Sequence, residues 1–409
     1  IGLPGGGFGL GYSAENGIGN PVQHFKWPSL EQFKNRVSEF IPVARISDML
    51  LEPGKVFSYN GKEIKYPDIK LVYWAGGNPF HHQMNLKKLS KAFKQPDTII
   101  VNEIWWNSLA RHSDIILPVT TSLERNDISI KHWDQTISPM HKVIEPIGES
   151  KSDYEIFSEI ASKLNFKDKF TEGKDEDKWL RHIWDEARSK AKDEGFSLPE
   201  FDKFWKNGFQ EVLSPKKQTI LLENFRKDPQ KNPISTPSGK IEIFSETVDS
   251  FNYQDCPGHP TWLEQKEWLG SNLTKQYPLQ LISGQPHNRL HSQLDNGSES
   301  QNYKILGREP IKIHPQDAQS RGLINGDIVE VFNKRGKCLA GVIISNEVMK
   351  GVVFLAVGAW YDPINDGDFC IHGNPNVLTE DIGTSSLAQG PSAHSTLVEI
   401  KKYTKELPE

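Results

Sequence analysis

The sequence predicts an α/β chain whose last third becomes a β-barrel. Between residues 66 and 165, short β-branched runs alternate with stretches of helical spacing, which is the pattern of a doubly wound parallel sheet. From 277 to 400, five short apolar runs follow one another with turn signals between them, which suits a closed barrel better than an open sheet. The length of 409 residues leaves room for two or three domains.

Taken in order, residues 1–30 are rich in Gly, Pro and Asn and have no apolar periodicity. They read as a loop, either an ordinary surface loop or one whose backbone approaches a ligand. No Lys-Ser/Thr follows, so it is not a phosphate loop of the GxxxxGK[ST] kind. Residues 69–74 are a strand closed by Ala75, Gly76, Gly77, Asn78 and Pro79. Residues 83–93 place Leu86, Leu89 and Phe93 on one helical face. Strands at 98–101 and 114–118 flank a short helix at 108–112. A helix over 153–164 has Ile156, Phe157, Ile160 and Leu164 as its apolar side. Residues 166–230 are charged and amphipathic, with a helix at 177–190 whose apolar side is Trp179, Ile183 and Trp184. Residues 238–244 read as a hairpin-like piece. Strands at 279–282, 311–313, 328–332, 338–344 and 352–357 build the barrel.

Composition excludes several classes. A net charge of -5 gives no electrostatic case for nucleic acid or an anionic membrane. Mean hydropathy is -0.55, and no run of about 18 apolar residues is present to span a bilayer. Cys256, Cys338 and Cys370 are too scattered for a disulfide framework and form no CxxC motif for zinc or an iron–sulfur cluster.

Five segments could carry chemistry. Gly76 to His82 lies after a strand and before a helix, where open α/β sheets bind ligands. Gly77 permits close backbone approach, and Asn78 and His82 add donors; a plain connection is the other reading. His81 and His82 would bind zinc only if further donors converged. Thr120 to Asp127 gathers hydroxyls, Arg125 and carboxylates, as a phosphate or base contact or as a helix-capping network. Asp153 is either a helix N-cap or a carboxylate for guanine. Ser283 to Gln293, and His372 to Gly390 with Gln389, are polar loops suited to a hydrogen-bonding heterocycle or to ordinary turns.

Together these segments resemble one family. The run from Ala110 to Asp127 is similar to the signature of molybdopterin oxidoreductases, within them the S-/N-oxide reductases acting on dimethyl sulfoxide, trimethylamine N-oxide or biotin sulfoxide. Trp74 to His82, Pro237 to Glu246, Arg289 to Gln293, His372 to Asn376 and Leu387 to Gly390 match the same group in order. The resemblance implies a Mo-bis(molybdopterin guanine dinucleotide) cofactor and a chain that is the C-terminal half of the enzyme. Residues 1–40 would end one α/β domain, 41–165 form a dinucleotide-binding domain, 166–270 an outer segment and 271–409 a double-psi barrel. Asn78, His82, Asn102, Glu103, Arg125 and Asp153 would hold one guanine dinucleotide. Ser283, Gln285, His287, Arg289, His291, Asn374, Asn376 and Gln389 would face the pterins. The family's molybdenum ligand and oxo-contacting aromatics match nothing in this sequence, so catalytic and metal residues are expected upstream. Implied partners are a sulfoxide or N-oxide substrate, the N-terminal half, and a cytochrome or a thioredoxin-like, NADPH-linked electron donor. Localisation is left between periplasm and cytoplasm, with 285–291 and 308–317 leaning towards the biotin sulfoxide type. The competing readings are a molybdenum-free structural or electron-transfer relative and a formate- or nitrate-type enzyme.

Overall fold

The computed structural model describes residues 26–130, 136–212, 220–364 and 369–408. Most of the Gly-rich opening therefore lies outside the described residues. The chain divides into two compact units. The helical unit takes the residues up to Ser38 with Leu117–Glu242, and the barrel unit takes Glu39–Ile116 with Ile243–Glu409.

The barrel unit opens with α1 (Ile46–Leu51) and a hairpin of β1 (Val56–Tyr59) and β2 (Lys62–Lys65), turned by Asn60 and Gly61. Then come β3 (Leu71–Ala75), α2 (Pro79–His82), α3 (Leu86–Ala92), β4 (Thr98–Glu103) and β5 (Ile115–Pro118). The sheet order is β3-β4-β5, with β3 and β4 parallel from Leu71↔Thr98 to Ala75↔Asn102. The helix expected from residue 83 begins only at Leu86. Asn85 is its cap, its side chain accepting from the Lys88 N–H at 3.2 Å, which confines Gln83 and Met84 to the turn.

Six strands close the barrel: β6 (Leu279–Ile282), β7 (Pro310–Ile313), β8 (Ile328–Phe332), β9 (Lys337–Ile344), β10 (Val352–Leu355) and β11 (Leu397–Lys402). The ring runs β7-β10-β6-β11-β8-β9 and back to β7. β6 with β10 and β7 with β9 are parallel, and the other pairs are antiparallel. Closure leaves no barrel edge to aggregate. All five expected strands are present, two with the expected ends and three with one end shifted by one or two residues. One core includes Leu50, Phe80, Leu86 and Leu89 from the helices, Val101 from β4, and Ile311, Val329, Val331, Val353 and Val398 from the barrel. Cys338 and Cys370, distant in sequence, sit in register on neighbouring strands as buried free thiols, and burial pushes both pKa values up.

The loop between β10 and β11 clamps α2. The Asn374 amide donates to the Phe80 carbonyl at 3.0 Å and the Ala359 carbonyl at 2.9 Å, while its oxygen accepts from the Asn376 N–H. The Asn376 amide donates to the His81 carbonyl. A buried ion network fastens the same loop further on. Asp381 meets Arg45 at 3.0 Å and Lys88 at 2.8 Å, and Asp48 meets both cations.

In the helical unit, the helix Glu176–Asp193 buries Leu180, Trp184, Ala187 and Ala191, and Trp184 stacks on Phe204 at 3.8 Å. Trp179 is only partly covered; its indole N–H donates to the Tyr154 hydroxyl at 2.9 Å, one position off the expected face. Residues 238–244 form turns rather than a hairpin, with Ile241 and Ile243 left 67% and 82% exposed. Alternation alone specifies no strand where no partner strand pairs among the described residues.

Asn374→Ala leaves two buried carbonyls without their donor and should destabilise the barrel unit by about 2–4 kcal/mol. Denaturant unfolding of the variant checks this; unchanged stability would show that Asn374 is no clamp.

Candidate functional site

The site is built where β3 ends. Gly76 and Gly77 take φ of +85° and +81°, a region side-chain-bearing residues avoid, and no atom lies within 4 Å of where a Gly76 Cβ would stand. Both glycines therefore serve the backbone path; Gly76 leaves open space beside it, while a Gly77 Cβ would stand 3.7 Å from His82 and 3.8 Å from Trp74. Asn78 caps α2, its oxygen accepting from the Phe80 N–H at 3.1 Å. His82 is exposed. His81 is buried, and burial with His291 beside it holds its pKa down to about 4.

At the end of β4, Asn102 accepts from the Tyr73 hydroxyl at 2.9 Å. Glu103 folds the next turn by accepting from the Ile104 N–H at 2.9 Å and the Asn107 amide at 2.7 Å.

The loop leaving β6 reaches α2. His291 Nδ1 lies 3.2 Å from His81 Nε2 and 2.9 Å from Gln285 Nε2. Ser283 is buried and His287 exposed. Arg289 lies in the same loop, but its side chain is 1% exposed and turned inward. It donates to Glu309 at 3.0 Å and the Val357 carbonyl at 3.2 Å. Burial pushes the Glu309 carboxyl up, and the Arg289 guanidinium partly offsets that. Gly358 makes the close approach possible, since a Cβ there would stand 2.0 Å from the His291 carbonyl oxygen.

On the other polar loop, Asn374 and Asn376 spend their amides on α2, and the Gln389 amide donates to the Ser58 carbonyl at 2.9 Å. The barrel unit thus brings together α2, the β6 loop and the residues that clamp them. Sequence reading weighed His81 only as a conditional zinc ligand and missed Glu309. The adjacent His81-His82 pair was the available signal, but its meaning depends on a contact 210 residues away.

In the helical unit, Arg125 pairs with Asp127. Glu124 organises its loop as a turn, accepting from Thr121 N–H at 2.7 Å and Ile147 N–H at 2.7 Å, which holds its carboxyl below the usual range. No helix follows, so the expected capping network there is a turn network. Asp153 is exposed in the first turn of the helix Asp153–Lys163. Ser152 is the N-cap, with Glu155 completing a capping box, which removes the cap reading of Asp153. Among the described residues no group of three or more His, Cys, Asp or Glu could hold a metal ion, and no helix is long and apolar enough to cross a membrane.

Residues 3–163 match the molybdopterin oxidoreductase family and 279–397 the molydopterin dinucleotide binding domain. The chain is 46% identical to a trimethylamine-N-oxide reductase of Haemophilus influenzae, over 100% of this chain and 52% of that protein. It is 44% identical to a biotin sulfoxide reductase of Cereibacter sphaeroides, over 98% and 54%. With the dimethyl sulfoxide/trimethylamine N-oxide reductase of Rhodobacter capsulatus it shares 43%, over 99% and 51%. The chain thus spans about half the length of the curated relatives it matches. Acetylene hydratase from Pelobacter acetylenicus shares the fold at 18% identity with a TM-score of 0.66, covering 88% of this chain and 46% of that one. With both family regions in order, the second of them spanning the closed barrel, the chain belongs to the molybdopterin oxidoreductases, and the relatives it matches are trimethylamine N-oxide, dimethyl sulfoxide and biotin sulfoxide reductases.

Proposed function

We propose that this chain is the cofactor-holding C-terminal half of a molybdenum reductase acting on sulfoxides or N-oxides. The observation that carries the reading is the convergence of the β6 loop on α2, beside the open space at Gly76. Its donors are imidazoles, amides and backbone groups. That chemistry fits a guanine dinucleotide cofactor with many hydrogen-bonding ring atoms, and a basic patch would not.

On this reading Gly77, Asn78, His82, Asn102 and Glu103 contact the cofactor from the sheet side, and Ser283, Gln285, His287 and His291 from the barrel. Arg125 and Asp153, on the helical unit, are assigned to guanine recognition. Arg289, Asn374, Asn376 and Gln389 act one step back, holding the loops in place through their own contacts. When bound, the molybdenum cofactor supplies oxygen-atom transfer from the S- or N-oxide. The chain's own residues bind and orient it. We place the metal's protein ligand and the substrate-facing aromatics in an N-terminal half, with electrons delivered by a separate donor protein.

The complete, molybdenum-loaded protein should oxidise reduced viologen with dimethyl sulfoxide, trimethylamine N-oxide, methionine sulfoxide or biotin sulfoxide. Turnover of none of the four overturns the assignment. Asp153→Ala should weaken retention of the guanine nucleotide about tenfold to hundredfold, the loss of hydrogen bonds to a charged group. The cofactor-free melting temperature should stay near wild type, because Ser152 and Glu155 cap the helix. Nucleotide released on denaturation, measured against that melting temperature, separates the two effects.

A further inference from the structure

We propose that His81 is a positioning residue that locks His291 in the tautomer with its proton on Nε2, so that the β6 loop presents a fixed N–H donor to an acceptor atom of the bound cofactor. This rests on the function proposed above, but its physical content lies in the chain itself.

His291 Nδ1 has one in-plane lone pair or one proton, never both. Two groups face it: the Gln285 amide nitrogen at 2.9 Å and His81 Nε2 at 3.2 Å. A glutamine amide can present either its nitrogen or its oxygen, so Gln285 alone leaves the tautomer open. His81 decides it. Its Nδ1 is buried and finds no hydrogen-bond partner. If His291 carried its proton on Nδ1, His81 Nε2 would have to accept it. The His81 proton would then sit on Nδ1, a donor sealed away from any acceptor. An orphaned buried N–H is rarer and costlier than an orphaned acceptor. The arrangement left is His81 Nε2–H donating to His291 Nδ1, with the His291 proton on Nε2.

Charging of His81 is disfavoured as well. Burial, with His291, His82 and Arg289 nearby, favours its neutral form. Its backbone is fixed too, because Asn376 binds its carbonyl and Asn374 that of Phe80. His291, at a positive φ of 54° and with its carbonyl against Gly358, is fixed from the other side, while the residue as a whole is exposed. A free histidine in water interchanges its tautomers, whereas this one is set as a donor before any ligand arrives.

The test is long-range 1H–15N correlation on the complete protein labelled at histidine nitrogen, with His291→Gln identifying the signal. The cofactor-free protein should show His291 with a bare Nδ1 and a protonated Nε2. His81→Phe keeps the ring volume and removes the donor. It should mix the two tautomers and speed cofactor loss about tenfold, the equivalent of one hydrogen bond. His81→Gln puts an amide nitrogen near the Nε2 position and should restore both. A protonated Nδ1 on His291 in the wild type overturns the proposal, as does a His81→Phe protein with wild-type tautomer and retention. Should His81→Phe not fold, the wild-type tautomer and the His81→Gln retention still decide. A protein that binds no molybdopterin would defeat the proposed function, and the tautomer in the cofactor-free protein would still be read.

Discussion

The barrel unit depends on satisfying one short helix. α2 has only four residues, so nearly all its carbonyls lack an intrahelical partner, and Phe80 within it is fully buried in the core. Unpaired carbonyls at that depth would cost about 1–3 kcal/mol each. Asn374 and Asn376 supply the missing donors, and the Asp381 network with Arg45 and Lys88 holds the same loop against α1 and α3. Phe80 can then stack on Tyr361 and His112, which joins the barrel to the sheet through aromatic contact. The Gly76–Gly77 turn and His81 inherit their positions from that arrangement.

The polar loops are held by the protein rather than left for a ligand to order. Arg289 and Glu309 form a nearly dry pair under the β6 loop, and Gln389 ties its own loop to the β1–β2 hairpin. Removing one partner of such a buried pair typically costs about 3–5 kcal/mol, because the other charge is stranded. A ligand meeting preformed loops loses less ordering entropy on binding. The outward-facing members, His82, Gln285, His287 and His291, are the ones with side-chain surface open to solvent.

Strands were the most legible part of this sequence. Runs such as Ile328–Phe332 and Leu279–Ile282 announce themselves by β-branching and flanking turns, and their observed ends agree with expectation. Residues 238–244 show the limit, since alternation without a partner makes no strand. At the site, residue type identified the loops but not the direction of each side chain. Arg289 reads as a ligand contact until Glu309, twenty residues on, is seen to take its guanidinium. Asp153 reads as a cap until Ser152 is seen to occupy that role. The Arg289 partner is chosen by tertiary contact and local sequence carries no record of it, whereas the Ser152-x-x-Glu155 capping box is a local signal that the sequence does carry.

The barrel unit is also interrupted, with its first part and its last separated by the whole of Leu117–Glu242. Phe80 waits for Asn374 across 294 residues. At a synthesis rate of about 5–20 residues per second, that is roughly 15–60 s in which α2 and the open face of its core are exposed on the ribosome. The helical unit's long stretch can fold meanwhile, but the barrel cannot close before β11 emerges. A newly made chain therefore passes through a prolonged apolar, half-built state, the kind of intermediate that draws a chaperone. The clamp on α2, and with it the fixed position of His81 against the β6 loop, forms only after Asn374 and Asn376 have emerged.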